Sequence, residues 1–196
     1  MAFPLHAPTA GEEQRILLHG VPWATYVMLR DTVESRRLRM TYVKGALEIT
    51  RPSRRHGAES GQIARLLELF CLERGIRFHG YRDTTFRQED QERGLEADDC
   101  YARDHEKLVP DVAVEVIVTH GLVDKLEVYR GLGIREVWMF ENGAFTVVTL
   151  RGNYYEPIAA SEVFPEVDLS RIAYYVMQPV QYDALAAYRD ELRATS

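Results

Sequence analysis

At 196 residues, 46% apolar and 28% charged, the chain has globular composition and the length of one domain with a substantial core. Its formal net charge of −6 argues against coating nucleic acid through bulk electrostatics, but leaves room for an acidic metal pocket beside a local basic patch. No stretch approaches the roughly 20 apolar residues of a membrane span, residues 1–13 lack the pattern of a secretory leader, and Cys71 and Cys100, without CxxC spacing, read as reduced thiols of a cytoplasmic protein.

The first twenty residues show no period and read as an irregular arm. Pro22 suits a helix start, and Trp23, Tyr26, Val27 and Leu29 give it an apolar face to about Val33. Leu38, Met40 and Tyr42 alternate with polar residues, Val43-Lys44-Gly45-Ala46 turns, and Leu47 and Ile49 resume the alternation, which predicts a β-hairpin. Pro52 and Ser53 break the strand, and Ile63, Leu66, Leu67 and Phe70 predict a helix from about His56 to Arg74, stopped by Gly75. Residues 76–88 read as one strand, 88–96 as an acidic loop or hairpin tip, and 98–102 as a short strand. After Pro110 comes a near-continuous apolar run, residues 112–118, interrupted only by Glu115. That pattern means a strand covered on both faces, as at the centre of an α/β sheet. A helix over 122–132 ends at Gly133, and a buried strand covers 137–140. Asn142-Gly143 signals a hairpin into 145–150, and Tyr154-Tyr155 begin another strand. The tail, 181–196, reads as a peripheral helix, and Tyr154, Tyr155, Tyr174 and Tyr175 as sheet and interface residues. The expectation is one α/β domain over residues 1–196, with a mixed sheet.

Charge is uneven along the chain. Residues 87–106 hold eight acids and three arginines, whereas residues 51–55 hold Arg51, Arg54 and Arg55 and no acid. A metal pocket beside a phosphate-binding edge gives that asymmetry; so do two solvated loops. Glu115 is more pointed, because an ionised group buried without a partner costs several kcal/mol. It must be paired, protonated or bound to a cation. Asp98 lies on a short strand before it and Lys125 on the helix after it, so a strand–turn–helix unit brings the three to one edge of the sheet. Two carboxylates and a lysine suit phosphodiester hydrolysis: the carboxylates hold Mg²⁺, the ion polarises phosphate and lowers the pKa of bound water, and the lysine orients water or neutralises developing charge. The alternative is a buried Glu115–Lys125 pair with Asp98 exposed.

The stretches "RDTTFRQEDQERGLEADDCYARD" and "VPDVAVEVIVTHGLVDKLEVYRGLGIREVWMFENGAFTVVTL", with the hairpin "YVKGALEITRPSRRHG", resemble a bacterial family of restriction-endonuclease-like proteins abundant in cyanobacteria. That family belongs to the PD-(D/E)XK nuclease superfamily, and the resemblance covers roughly residues 38–165. It implies a restriction-endonuclease-like core, a mixed central sheet flanked by helices with an N-terminal helix and hairpin. It also implies Mg²⁺-dependent cleavage of DNA, Mn²⁺ substituting. By position it makes Asp98 and Glu115 metal ligands, joined by the backbone carbonyl of Val116. The lysine of the classical E-x-K is absent, since Ile117 stands there, and the resemblance moves that role to Lys125. Ala97 replaces the usual proline before Asp98.

Secondary candidates are Asp111, as a further ligand-orienting acid or a turn cap, and His56 and Glu59, as helpers or solvated helix-start residues. Arg51, Arg54 and Arg55 are candidates for DNA phosphate contacts. No histidine–cysteine set has zinc spacing, and neither GxGxxG nor a P-loop is present, so no nucleotide cofactor is expected. By analogy a homodimer is expected, pairing two sites for two strands. The competing reading is an inactive nuclease-fold module that binds DNA or protein.

Overall fold

A computed structural model describes residues 13–33, 38–82 and 84–195, and its first element already departs from expectation. Within the supposed arm, β1 (Gln14–Leu18) is an edge strand, antiparallel to residues 47–51 with Gln14 opposite Arg51 and Leu18 opposite Leu47. Next come α1 (Trp23–Thr32) and the expected hairpin of β2 (Arg39–Val43) and β3 (Ala46–Arg51). Its two-residue turn needs positive φ at both Lys44 and Gly45, the conformation that matches strand twist. Ser53 then caps α2 (Arg54–Glu73) by accepting the His56 N–H.

The single strand expected over 76–88 is two. β4 (Phe78–Arg82) and β5 (Thr85–Gln88) lie in different sheets. The acidic segment is likewise more than a loop: after a turn of 3-10 helix at Glu89–Gln91 it enters β6 (Arg93–Glu96), a fully buried strand between β2 and β5. β7 (Asp99–Arg103) and β8 (Val112–Ile117) follow, then α3 (Lys125–Leu132), β9 (Glu136–Glu141), β10 (Ala144–Arg151) and β11 (Tyr154–Ile158). α4 (Leu169–Val176) was not expected. It buries Ile172, Ala173, Tyr175 and Val176 on a helical face, which corrects the sheet assignment of Tyr174 and Tyr175. α5 (Gln181–Ala194) is not peripheral, since Ala184, Tyr188 and Leu192 are buried in the main core.

The mixed α/β architecture stands, with two sheets instead of one. The smaller is antiparallel, in the order β1-β3-β2-β6-β5, and the larger runs β11-β10-β9-β8-β7-β4. In the larger sheet β8 and β9 are parallel, joined by α3 as a βαβ crossover. One face of that sheet, with Val112, Val114 and Val116, packs on α2, α4 and α5 around Leu66, Phe70 and Phe164. The other face, with Ala113 and Val137, packs on α3 and on Leu17, Val43 and Leu95 of the smaller sheet. Both faces of β8 are therefore covered, as its apolar run requires. Among the described residues no helix is long and apolar enough to cross a membrane.

Candidate active site

Strand alternation decides where Glu115 points. Val114 and Val116 face α2, so Glu115 shares the opposite face with Ala113 and looks toward α3 and the smaller sheet. Lys125 is the first residue of α3, placed by Asp124, which caps the helix by accepting the N–H groups of Leu126 and Glu127. Lys125 Nζ lies 2.6 Å from Glu115 Oε2. One turn on, the Tyr129 hydroxyl donates to Glu115 Oε1. Burial pulls the Lys125 ammonium down, but the charges of Glu115 and Asp98 prevail and hold it above its ordinary value. Lys125 is thus a fixed cation, and Tyr129, pushed well up by burial and by Glu115, a fixed donor.

Asp98 sits where two strands part. The β7–β8 ladder ends at the Asp99–Val114 pair, and the next inward N–H, that of Val116, donates instead to Asp98 Oδ2 at 2.9 Å. Oδ1 lies 2.8 Å from His56 Nε2 and 3.5 Å from Arg39 Nε. His56 belongs to the first turn of α2 and is buried. Its Nδ1 meets Glu13 Oε1 at 2.9 Å, so both ring nitrogens face carboxylates. Burial favours the neutral ring, yet the hydrogen bonds to Asp98 and Glu13 outweigh it and raise His56 to about 9. Burial also pushes Asp98 up, and the hydrogen bond and charge of His56, with the charges of Lys125 and Arg39, hold it far below the carboxylate range. Asp98 is therefore neither exposed nor neutral.

A second buried carboxylate shapes the approach to Lys125. Glu48 Oε2 accepts the N–H groups of Leu122 and Val123 at 2.6 and 2.8 Å, while Oε1 accepts from Arg15 and Thr50. Arg15 also donates to Glu13 and to the Thr119 carbonyl. Beside these groups lies a cavity of about 230 Å³ whose wall carries Glu13, Arg15, Arg39, His56, Glu115, Val116 and Lys125, over a floor of Val123, Leu126, Val137 and Met139. Asp98 is not on that wall; it touches three residues that are, His56, Arg39 and Val116.

The structure thus brings Asp98, Glu115, Val116, Lys125 and His56 together and leaves the other sequence candidates elsewhere. Glu59 pairs with Arg55 at 2.7 Å on the exposed side of α2. Asp111 accepts from the Arg103 N–H and Lys107 Nζ at the start of β8, the end away from Glu115. Arg51 and Arg54 are exposed and alternate along the chain with Thr50, Pro52 and His56 of the cavity lining. The sequence did not single out Glu13, Arg15, Arg39, Glu48 or Tyr129. Tyr129 follows Lys125 by four residues, the helical spacing that puts both on one face. Glu48 stands in an apolar strand as Glu115 does; Glu13 and Arg15 had no periodic signal at all.

The oxygens fit a hard divalent cation. Each Glu115 oxygen accepts one hydrogen bond and keeps a lone pair, and Asp98 and the Val116 carbonyl belong to the adjoining backbone. Among the described residues no three His, Cys, Asp or Glu side chains form a ready cage. An ion held by two carboxylates and a carbonyl keeps several waters, as Mg²⁺ prefers.

A search of curated proteins gives no match. A family model matches residues 23–174, most of the chain, from the start of α1 into α4. The family's description is "Putative restriction endonuclease", and the mixed α/β architecture is that of a restriction-endonuclease-like fold. The chain belongs to this family, Uma2.

Proposed function

We propose that the chain is a Mg²⁺-dependent endonuclease that hydrolyses DNA phosphodiester bonds, with Mn²⁺ able to substitute. The observation that carries this reading is a cavity of a nuclease-family fold lined by the buried Glu115–Lys125 pair and by His56, with Asp98 directly behind the wall, held ionised by His56 and bonded to the Val116 N–H. Glu115, Asp98 and the Val116 carbonyl would hold the ion. When bound, it polarises the phosphoryl oxygen and lowers the pKa of a coordinated water. Lys125, kept cationic, neutralises charge developing on the phosphate or orients the attacking water. Tyr129 fixes the rotamer of Glu115, and the Val116 N–H fixes that of Asp98. Arg51 and Arg54, exposed and alternating along the chain with cavity-lining residues, are the proposed backbone-phosphate contacts. Two copies related by a two-fold axis would address two strands, so a homodimer is part of the proposal.

One observation favours a second reading, a non-catalytic binding module: Asp98 and Glu115 already have protein partners for all four oxygens. Cleavage of supercoiled plasmid in Mg²⁺ and Mn²⁺ separates the two. The nuclease reading expects metal-dependent nicking, lost by about 100-fold or more in Asp98→Ala and Glu115→Ala. It also expects Mn²⁺ to raise the melting temperature, since a ligand at 100 times its Kd adds about 2.7 kcal/mol. Wild-type protein inert on plasmid, linear and single-stranded DNA would favour the binding module, and variants that cut as well as wild type would remove Asp98 and Glu115 from the proposed site.

A further inference from the structure

The family match begins at Trp23, yet the cavity wall begins ten residues earlier. β1 is an edge strand held by its ladder to β3, and its side of the cavity carries two charged residues, Glu13 and Arg15, that lie outside the matched region. The Glu13 side chain is covered from solvent and salt-bridged twice, by Oε1 to His56 Nδ1 at 2.9 Å and by Oε2 to Arg15. Arg15 in turn reaches Glu48 at 2.6 Å and the carbonyl of Thr119. One end of this chain of contacts stops at Asp98, through His56. The other stops at the turn before Lys125, where Glu48 holds the Leu122 and Val123 N–H groups.

We propose that β1 is an integral part of the site and that Glu13 is a positioning residue: it fixes the His56 ring in the plane that presents Nε2–H to Asp98, and so fixes the carboxylate for a divalent cation. A histidine with one free ring nitrogen can turn about its side-chain bonds or flip its ring. With a carboxylate on each nitrogen it cannot do so without breaking a hydrogen bond to a charged group. Arg15 offsets the negative charge that Glu13 adds beside the metal ligands, which lets a third carboxylate stand there without competing for the ion. Partners of metal ligands that act in this way typically change metal affinity by about 10–100-fold when removed.

The proposal rests on the nuclease reading for its metal arm only, and the test keeps the two apart. In metal-free protein, the His56 Nδ1–H proton is expected as a slowly exchanging, downfield NMR signal. It should vanish in Glu13→Ala and persist in Glu13→Gln, whose amide oxygen still accepts. By calorimetry, Mn²⁺ affinity should fall about tenfold or more in Glu13→Ala, recover in part in Glu13→Gln, and stay at the wild-type value in Ile16→Thr, a control at an exposed position of β1. Thermal melting checks that all variants fold. A Nδ1–H signal that survives Glu13→Ala, unchanged Mn²⁺ affinity in that variant, or an equal loss in Ile16→Thr overturns the positioning role. Wild-type protein that binds no Mn²⁺ sinks the nuclease reading, and the His56 signal alone then decides whether Glu13 holds the ring.

Discussion

Glu48 and Glu115 are both buried carboxylates in apolar strands, and their partners give them different characters. Glu115 faces side-chain donors, which can rearrange around an incoming ion; Glu48 faces two main-chain N–H groups, which cannot. Replacing Glu48 by alanine strands those N–H groups and removes one of the partners of Arg15. The expected loss is about 2–4 kcal/mol of unfolding free energy, read from urea denaturation. Burial alone would raise the Glu48 pKa, but the Val123 N–H, Arg15, Thr50 and the Leu122 N–H together hold it below its ordinary value. Folding therefore favours the ionised form. Its contribution is complete above the unfolded pKa and disappears as pH falls through the folded one. Between pH 6 and pH 3 the wild type should lose more stability than Glu48→Gln; parallel losses in urea midpoint would show that Glu48 is not a source of acid sensitivity. Glu115 was legible in the sequence because it interrupts a run apolar on both faces. Glu48 obeys the same logic but alternates with Leu47 and Ile49, so it reads as the wet side of an amphipathic strand.

Among the elements, β6 meets α3 at close range and was the harder of the two to foresee. Arg93 is buried with Gln91 and Glu127 as partners, and it passes over Gly131 of α3 so tightly that a Cβ there would collide with its side chain. Gly131→Ala gains about 1 kcal/mol of helix propensity but must displace a tethered arginine, an overpacking cost of about 1–3 kcal/mol. The net expectation is destabilisation, measurable as a lower melting temperature. A stabilised variant would mean that Arg93 moves freely. Gly94 behaves alike against the Tyr26 ring. β6 escaped the sequence reading because Glu89, Asp90 and Glu92 surround it with solvated charge, and its burial comes from neighbours in β2, β5 and α3. β4 and β5 escaped as separate strands because Phe78, Tyr81 and Phe86 form one aromatic run; only pairing shows that β4 joins β7 and β5 joins β6. The hairpin, α2, β8 and α3 were readable because their periods are complete within the segment.

For the whole molecule, the large sheet lies between α2, α4 and α5 on one face and α3 with the smaller sheet on the other, and the cavity opens along the second face. A net charge of −6 leaves any attraction for DNA to local groups. Arg51 and Arg54 have no ion pair among the described residues, whereas Arg55 is held by Glu59. Each alanine replacement at Arg51 or Arg54 should weaken DNA binding and reduce the slope of log K against log salt by about 1, with less effect at Arg55. A slope unchanged at both positions would place the DNA on another surface. The contacts of β1 also bear on how the protein should be handled. Glu13, the first described residue, lies beside His56 at the cavity wall. The last turn of α5 instead lies against the far end of α2, with Arg193 on Glu73 and Thr195 on Arg74, about 27 Å from His56 along that helix. Affinity tags and surface tethers that follow α5 therefore start well away from the cavity, and an immobilised protein held by that end keeps its cavity facing solution.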